Sequence, residues 1–228
     1  MFRGIVVTFG GQALLSLAAL AGGGELLAAA RARRRPRAAA LTVLAAALAY
    51  ELALAPWMRS WGATAAERAR RLPGDEEVPE AGVEITQAVT VRAPVAEVWP
   101  WLAQIGQDRG GFYSYEWLEN LAGCRMHNAD RVHPEWQRRE VGEPVWLHPQ
   151  APPLAVTRFE PGRLIGLAGW GVFLVEPDGE SGTRLLARGR VPAGMPALLY
   201  RATLEVPHFV MQRKMLLGLK ARAEAGAA

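Results

Sequence analysis

Cys124, His127, Asp130 and His133 recur at every third position of the chain. Each carries a lone pair able to bind a metal, and on a helix a C-x2-H-x2-D-x2-H pattern would gather them on neighbouring turns. The spacing matches no standard metal site, Gly123 breaks any helix before it and Pro134 follows. No metal or other cofactor is therefore expected, and a polar cap of hydrogen-bonded loop side chains is the preferred reading. The same stretch could perform acid–base chemistry if His127, Asp130, His133 or Glu119 faced the mouth of a cavity. Tyr113 or Tyr115 would then donate a proton, and Arg109 would steady the oxyanion of an enolised carbonyl. Arg109 beside Asp108 is equally consistent with an ion pair in a turn. The catalytic candidates are thus Tyr113, His127 and Arg109. No G-x-S-x-G motif is present, and GQDRGG (106–111) lacks the lysine and the glycine order of a nucleotide loop.

These side chains need elements to position them. RGGFYSYEWLENL (109–121) reads as a glycine turn, Ser114 as N-cap, and a short helix from Tyr115 to Ala122 ended by Gly123. Before it, 84–91 alternates as a strand with Ile85, Val89 and Val91 on one face. Pro94 opens a helix carrying Val95, Val98 and Leu102, which Pro100 should kink or split. After it, strand patterns recur at 144–148, 154–159, 164–168, 170–176 and 183–191. In the last of these Arg184, Arg188 and Arg190 share a face read as solvent-facing, opposite Leu185 and Ala187. The chain closes on an amphipathic helix with Val206, Phe209, Val210, Leu216 and Leu219 on its apolar side. His208 and Arg213 are read there as cap and solvated face, His208 being the one that could touch a ligand head. A curved antiparallel sheet around the last helix would bury both apolar faces, an α+β arrangement.

The 228 residues divide unevenly. Stretches 4–30 and 38–58 each carry a single charge, Glu25 and Glu51, and each exceeds the roughly 20 residues a bilayer span requires. Two transmembrane helices forming a hairpin over 1–60 is the direct reading; a leader cleaved near Ala28-Ala29-Ala30 is the alternative for the first. Glu51 should meet an interhelical contact or snorkel. Arg31, Arg33, Arg34, Arg35 and Arg37 in the connecting loop favour a cytoplasmic loop and a C-terminal domain outside the cell membrane. Residues 61–82 read as a juxtamembrane helix, near 64–72, and a linker broken at Pro73-Gly74. The net charge of +4 rests largely on arginines flanking the spans, which suits a lipid surface. No nucleic-acid-binding signature accompanies it. Cys124 alone allows no internal disulfide.

The phrases PVAEVWPWLAQIG, RGGFYSYEWLENLAG, NADRVHPEWQ and HFVMQRKMLLGLKARAE, with this order of elements, resemble a membrane-associated bacterial branch of the START-like superfamily, also called SRPBCC or polyketide cyclase/dehydrase-like. The resemblance covers 82–224 and makes 83–228 a START-like domain with a helix-grip fold. It implies a deep apolar cavity between sheet and terminal helix. Trp99, Trp101, Phe112, Tyr113, Tyr115, Trp117, Trp136, Trp146 and Trp170 would be the ligand-binding pool; ordinary core packing is the alternative for each. Function then divides three ways. A membrane-anchored module would hold a hydrophobic small molecule or lipid. A cyclase, dehydratase or hydrolase would act on a polyketide-like substrate in the same cavity. A membrane-anchored interaction protein would have a filled core and no ligand.

Overall fold

The computed structural model describes residues 37–227. The predicted first span, 4–30, and most of the basic loop lie outside the described residues. Helix α1 (Arg37–Ala49) passes through a π-helical segment, Tyr50–Leu54, into α2 (Ala55–Arg59). Ala40–Arg59 has a mean hydropathy of 1.5 and, among the described residues, is the one helix long and apolar enough to cross a membrane. Leu41, Leu48 and Leu52 project from it, Leu52 with 76% of its surface exposed. Glu51 pairs with Arg201, so its charge is met by another segment of the chain.

The remainder is α+β. Strands β1 (Ala81–Val91), β2 (Pro144–Val145), β3 (Leu154–Glu160), β4 (Leu164–Leu167), β5 (Gly171–Asp178) and β6 (Gly182–Pro192) form an antiparallel sheet in the order β1-β6-β5-β4-β3-β2. Helices α4 (Val95–Ala103) and α5 (Glu116–Leu121) fall between β1 and β2. Helix α6 (Met195–Leu199), a second π-helical segment (Tyr200–Leu204) and the long α7 (Glu205–Gly226) follow β6. A sheet with a long helix across one face is compatible with a helix grip. Pro100 does not split α4, which stops within a turn of it.

Alternation along the strands gives the sheet two apolar faces. Val89, Val91, Phe173, Val175, Leu185 and Ala187 meet α4 and the C-terminal half of α7 in the main core. Ala88, Leu164, Leu174 and Leu186 face the other way and bury Leu72. The segment expected to be a free linker therefore lies across the outer face of the sheet. Its helix is only α3 (Ala65–Ala69), capped by a reciprocal Thr64–Glu67 box. This strap also overturns the expectation that Arg184, Arg188 and Arg190 face solvent. Arg184 pairs with Glu67 at 2.6 Å. Buried Arg188 pairs with Glu84 at 2.6 Å and donates to the carbonyls of Glu67, Arg68 and Arg70. Arg190 reaches Glu84 and the carbonyls of Asp75 and Pro79. A period-two pattern marks which residues share a face, not what covers that face.

Helix α7 differs from its expected seam. Gln212, Met215, Leu216, Gly218, Leu219 and Ala223 are buried, whereas Val206 and Phe209 are half-buried and Val210 is exposed. Gly218 sets the closest approach. A Cβ there would lie 2.2 Å from the Tyr113 carbonyl oxygen and 2.9 Å from its Cβ, contacts that backbone cannot yield cheaply. Tyr113 takes φ 55°, alone among the described non-glycine residues in being left-handed, and Gly111 precedes it at φ 73°. Asn128 fixes this turn, accepting from the Tyr113 amide at 2.6 Å and donating to the Ser114 carbonyl. Ser114 is accordingly no N-cap: its hydroxyl donates to the Met211 carbonyl and ties the loop to α7. Gly218→Ala is expected to lower stability by about 1–3 kcal/mol through overpacking, read as a depressed Tm of the full chain in detergent.

Candidate functional site

The two halves of α7 sit differently against the sheet. At Gly218 helix and loop come into close backbone contact. Before it, a buried polar bridge stands between helix and strand: Gln212 Nε2 donates to Gln87 Oε1 of β1 at 3.1 Å. Gln87 Nε2 in turn donates to the Met58 carbonyl at the end of α2. On this side the apolar faces do not close, and a cavity of about 880 Å3 remains. That lies within the roughly 300–1,000 Å3 range of small-molecule sites. Ile85, Gly189 and Val191 line it from the sheet, Leu118, Glu119 and Leu121 from α5, and Val206, His208, Gln212 and Met215 from α7. Exposed Leu121, Leu204 and Val210 form its rim.

The polar wall can be assigned atom by atom. Trp170 Nε1–H can only donate, and it meets Gln212 at 2.9 Å, so that Gln212 atom is the oxygen. His208 Nε2 lies 2.8 Å from the same oxygen and must therefore carry its proton. His208 Nδ1 is then an acceptor, and Tyr200 Oη–H donates to it at 2.7 Å. Burial pushes the imidazole pKa down, which keeps this neutral tautomer, and burial raises the Tyr200 phenol, which keeps its proton. The result is a directional chain from Tyr200 through His208, Gln212 and Gln87 to α2.

Glu119 lies on the opposite wall. Its Oε2 is sealed from solvent and has no hydrogen-bond partner among the described residues. Desolvation, with Glu116 one turn earlier adding repulsion, pushes its carboxyl up to about 7. Burial and then the Glu119 charge push the nearby Cys124 thiol up to about 11, so it stays protonated.

The sequence-derived candidates disperse. Of the aromatic pool, Phe112 and Trp170 line the cavity, their rings 5.4 Å apart. Trp99 packs on Phe159, and Trp101 on Tyr113. Trp136 stacks on His133, Tyr115 lies under Lys214, Trp146 is half-buried away from the cavity lining, and Trp117 is 67% exposed. The three catalytic candidates do not converge. Tyr113 is 1% exposed, its hydroxyl accepts from Gln104 at 2.9 Å, and burial pushes its phenol up to about 12. Arg109 is bound to Glu143 at 2.6 Å and to the carbonyls of Trp136 and Arg138. The His127 side chain, 88% exposed, lies 3.5 Å from Glu116. His127, Asp130 and His133 border a separate depression with Arg109 on an irregular loop. Cys124 Sγ turns away to the Leu147 carbonyl at 3.4 Å, and among the described residues no metal-holding cluster forms.

Sequence reasoning passed over Gln87, Tyr200 and Gln212. Two of them left a signal. Gln87 interrupts the apolar face of Ile85, Val89 and Val91, and Gln212 interrupts that of Phe209 and Leu216. Comparison with known protein families, with curated proteins and with solved structures finds no match.

Between about 4.5, the ordinary carboxyl value, and about 7 the folded chain holds a Glu119 proton that the unfolded chain has lost. Stability should therefore fall as pH rises through that window. Glu119→Gln should remove the loss, leaving the variant about 1 kcal/mol more stable than wild type near pH 8, after discounting for partial solvent screening, and close to it near pH 4. Thermal melts at the two pH values check this.

Proposed function

We propose that the protein is a membrane-anchored START-like module that holds a hydrophobic small molecule or lipid between sheet and terminal helix. The observation that carries this reading is the predominantly apolar cavity whose rim adjoins the candidate membrane helix. Glu205, between the lining residues Leu204 and Val206, accepts from Tyr50 Oη at 2.7 Å and from Arg59 Nε at 2.5 Å, both on the Ala40–Arg59 helix. Trp57 meets Phe209 of α7 edge-on at 5.1 Å. Met195, Leu198 and Leu199 of α6 are exposed beside the same junction. A cavity mouth at this level lets an apolar guest leave a bilayer without crossing water.

The chain purified from membranes is expected to carry a guest, seen by native mass spectrometry as a discrete mass released on denaturation. Leu118→Trp, which adds bulk to the cavity wall, should cut guest occupancy roughly fivefold while leaving the Tm close to wild type. A wild-type chain that neither carries nor takes up an apolar guest would end this reading. It would favour a membrane-anchored interaction protein without a ligand, whose core would then not be filled as expected.

A second reading, acid–base chemistry of the cyclase or dehydratase kind, is favoured by Glu119, since a carboxyl held near 7 is suited to exchanging protons at neutral pH. On that reading Glu119→Gln abolishes turnover but leaves guest binding in place.

A further inference from the structure

The hydrogen-bonding inventory of the cavity is one-sided. On the α7 wall the donors are already engaged: Tyr200 Oη–H with His208, His208 Nε2–H and Trp170 Nε1–H with Gln212, and Ser114 Oγ–H with the Met211 carbonyl. The Arg190 guanidinium lies with Glu84 and two strap carbonyls on the outer side of the sheet. What remains toward the guest, once Glu119 is ionised above about pH 7, is accepting capacity: the second lone pair of Tyr200 Oη and the carboxylate of Glu119, whose Oε2 has no partner among the described residues. A buried acceptor without a partner is costly, and more so if charged. A ligand donor would recover that cost.

We propose that Glu119 is the head-group anchor of this cavity and that the guest is an apolar molecule ending in a hydrogen-bond donor, a hydroxyl or an amine. The inference rests on the cavity reading and narrows it. Carboxylate-headed and phosphate-headed amphiphiles are disfavoured, because each brings acceptors and negative charge to a wall that already presents both. The remaining cavity surface near Glu119, formed by Leu118, Leu121, Met126, Leu147 and Leu154, is apolar and fits the tail.

The test uses the full chain in phosphatidylcholine nanodiscs at about pH 8.5, where Glu119 is ionised, equilibrated with 1-tetradecanol, its methyl ether or myristate, and native mass spectrometry to count bound probe. Wild type should take up the alcohol roughly 10-fold more readily than the ether of the same chain, and myristate least, as one recovered hydrogen bond to a charged group requires. Glu119→Leu should bring the alcohol-to-ether ratio to about one while keeping ether uptake, and should admit myristate. Glu119→Gln, which keeps an acceptor oxygen, should retain part of the alcohol preference and also admit myristate. Both variants remove an unpaired buried carboxyl, so melting curves should show them folded. Equal uptake of alcohol and ether by wild type, or a preference for myristate, would overturn the anchor and leave the cavity reading standing. Wild type that takes up no probe at all would overturn both.

Discussion

A single buried amide pair, Gln212 on the terminal helix and Gln87 on the first strand, holds this architecture open. Two amides 3.1 Å apart and nearly inaccessible to solvent cannot be separated without leaving unsatisfied donors and acceptors. Nor can the helix move closer, because each amide already occupies the space between helix and sheet. Four residues beyond Gln212 come Leu216, packed in the core, and then Gly218 against Tyr113. One rigid helix is thus clamped at contact distance at one end and propped at the other. The wedge between is the cavity. Apolar burial would ordinarily collapse such a wedge, at about 25 cal/mol per Å2 gained, so the polar prop is what keeps the opposing faces apart.

The outer face of the sheet is built on a different principle. Arg184, Arg188 and Arg190 on β6 collect carbonyls and carboxylates from the strap between the Ala40–Arg59 helix and β1. The strap carries little regular structure of its own: a five-residue helix and a three-residue 3-10 turn. Its backbone carbonyls therefore need donors, which a fork of guanidinium N–H groups supplies. Leu72 adds the apolar part by entering the outer cluster. The consequence is mechanical. The Ala40–Arg59 helix reaches the domain through a segment fixed along the sheet rather than through a tether, so the domain keeps one orientation to the helix.

Much of this was legible in the sequence because it rests on local periodicity. The strands follow alternation and turn chemistry, and the last helix follows its 3.6-residue repeat. The left-handed turn at Gly111 is visible as a glycine pair. What local pattern cannot carry is pairing at a distance. Three arginines on one face of β6 read as solvated, because the carbonyls that cover them lie more than a hundred residues earlier. The aromatic residues divide the same way. Phe112 and Tyr113 are neighbours, yet the φ of 55° at Tyr113 sends one ring to the cavity and the other into the core beside Trp101. Histidines drew attention for their chemistry, but exposed His127 lies outside the cavity, while His208 holds a defined tautomer on its wall. The most informative residues were the least conspicuous ones, glutamines on otherwise apolar faces.

The junction of helix and cavity has its own internal logic. Both interruptions of α-helical geometry begin with a tyrosine followed by a charged residue, Tyr50-Glu51 and Tyr200-Arg201. A π-helical segment widens the turn and re-aims successive side chains, and such segments concentrate where side chains must meet specific partners. Here Tyr50 reaches Glu205, Glu51 pairs with Arg201, and Tyr200 reaches His208. Glu205 is 1% exposed and held by Arg59 as well, so removing Arg59 would strand a buried charge. The two segments thus fix this corner by ion pairs and hydrogen bonds as well as by shape, and the same bonds that join the Ala40–Arg59 helix to α7 border the cavity rim. Any displacement of Ala40–Arg59 relative to the sheet would strain the Met58 carbonyl and Gln87, and through Gln212 the prop itself. Anchor, rim and prop are consequently one hydrogen-bonded unit, which couples the width of the cavity to the seating of the helix beside it.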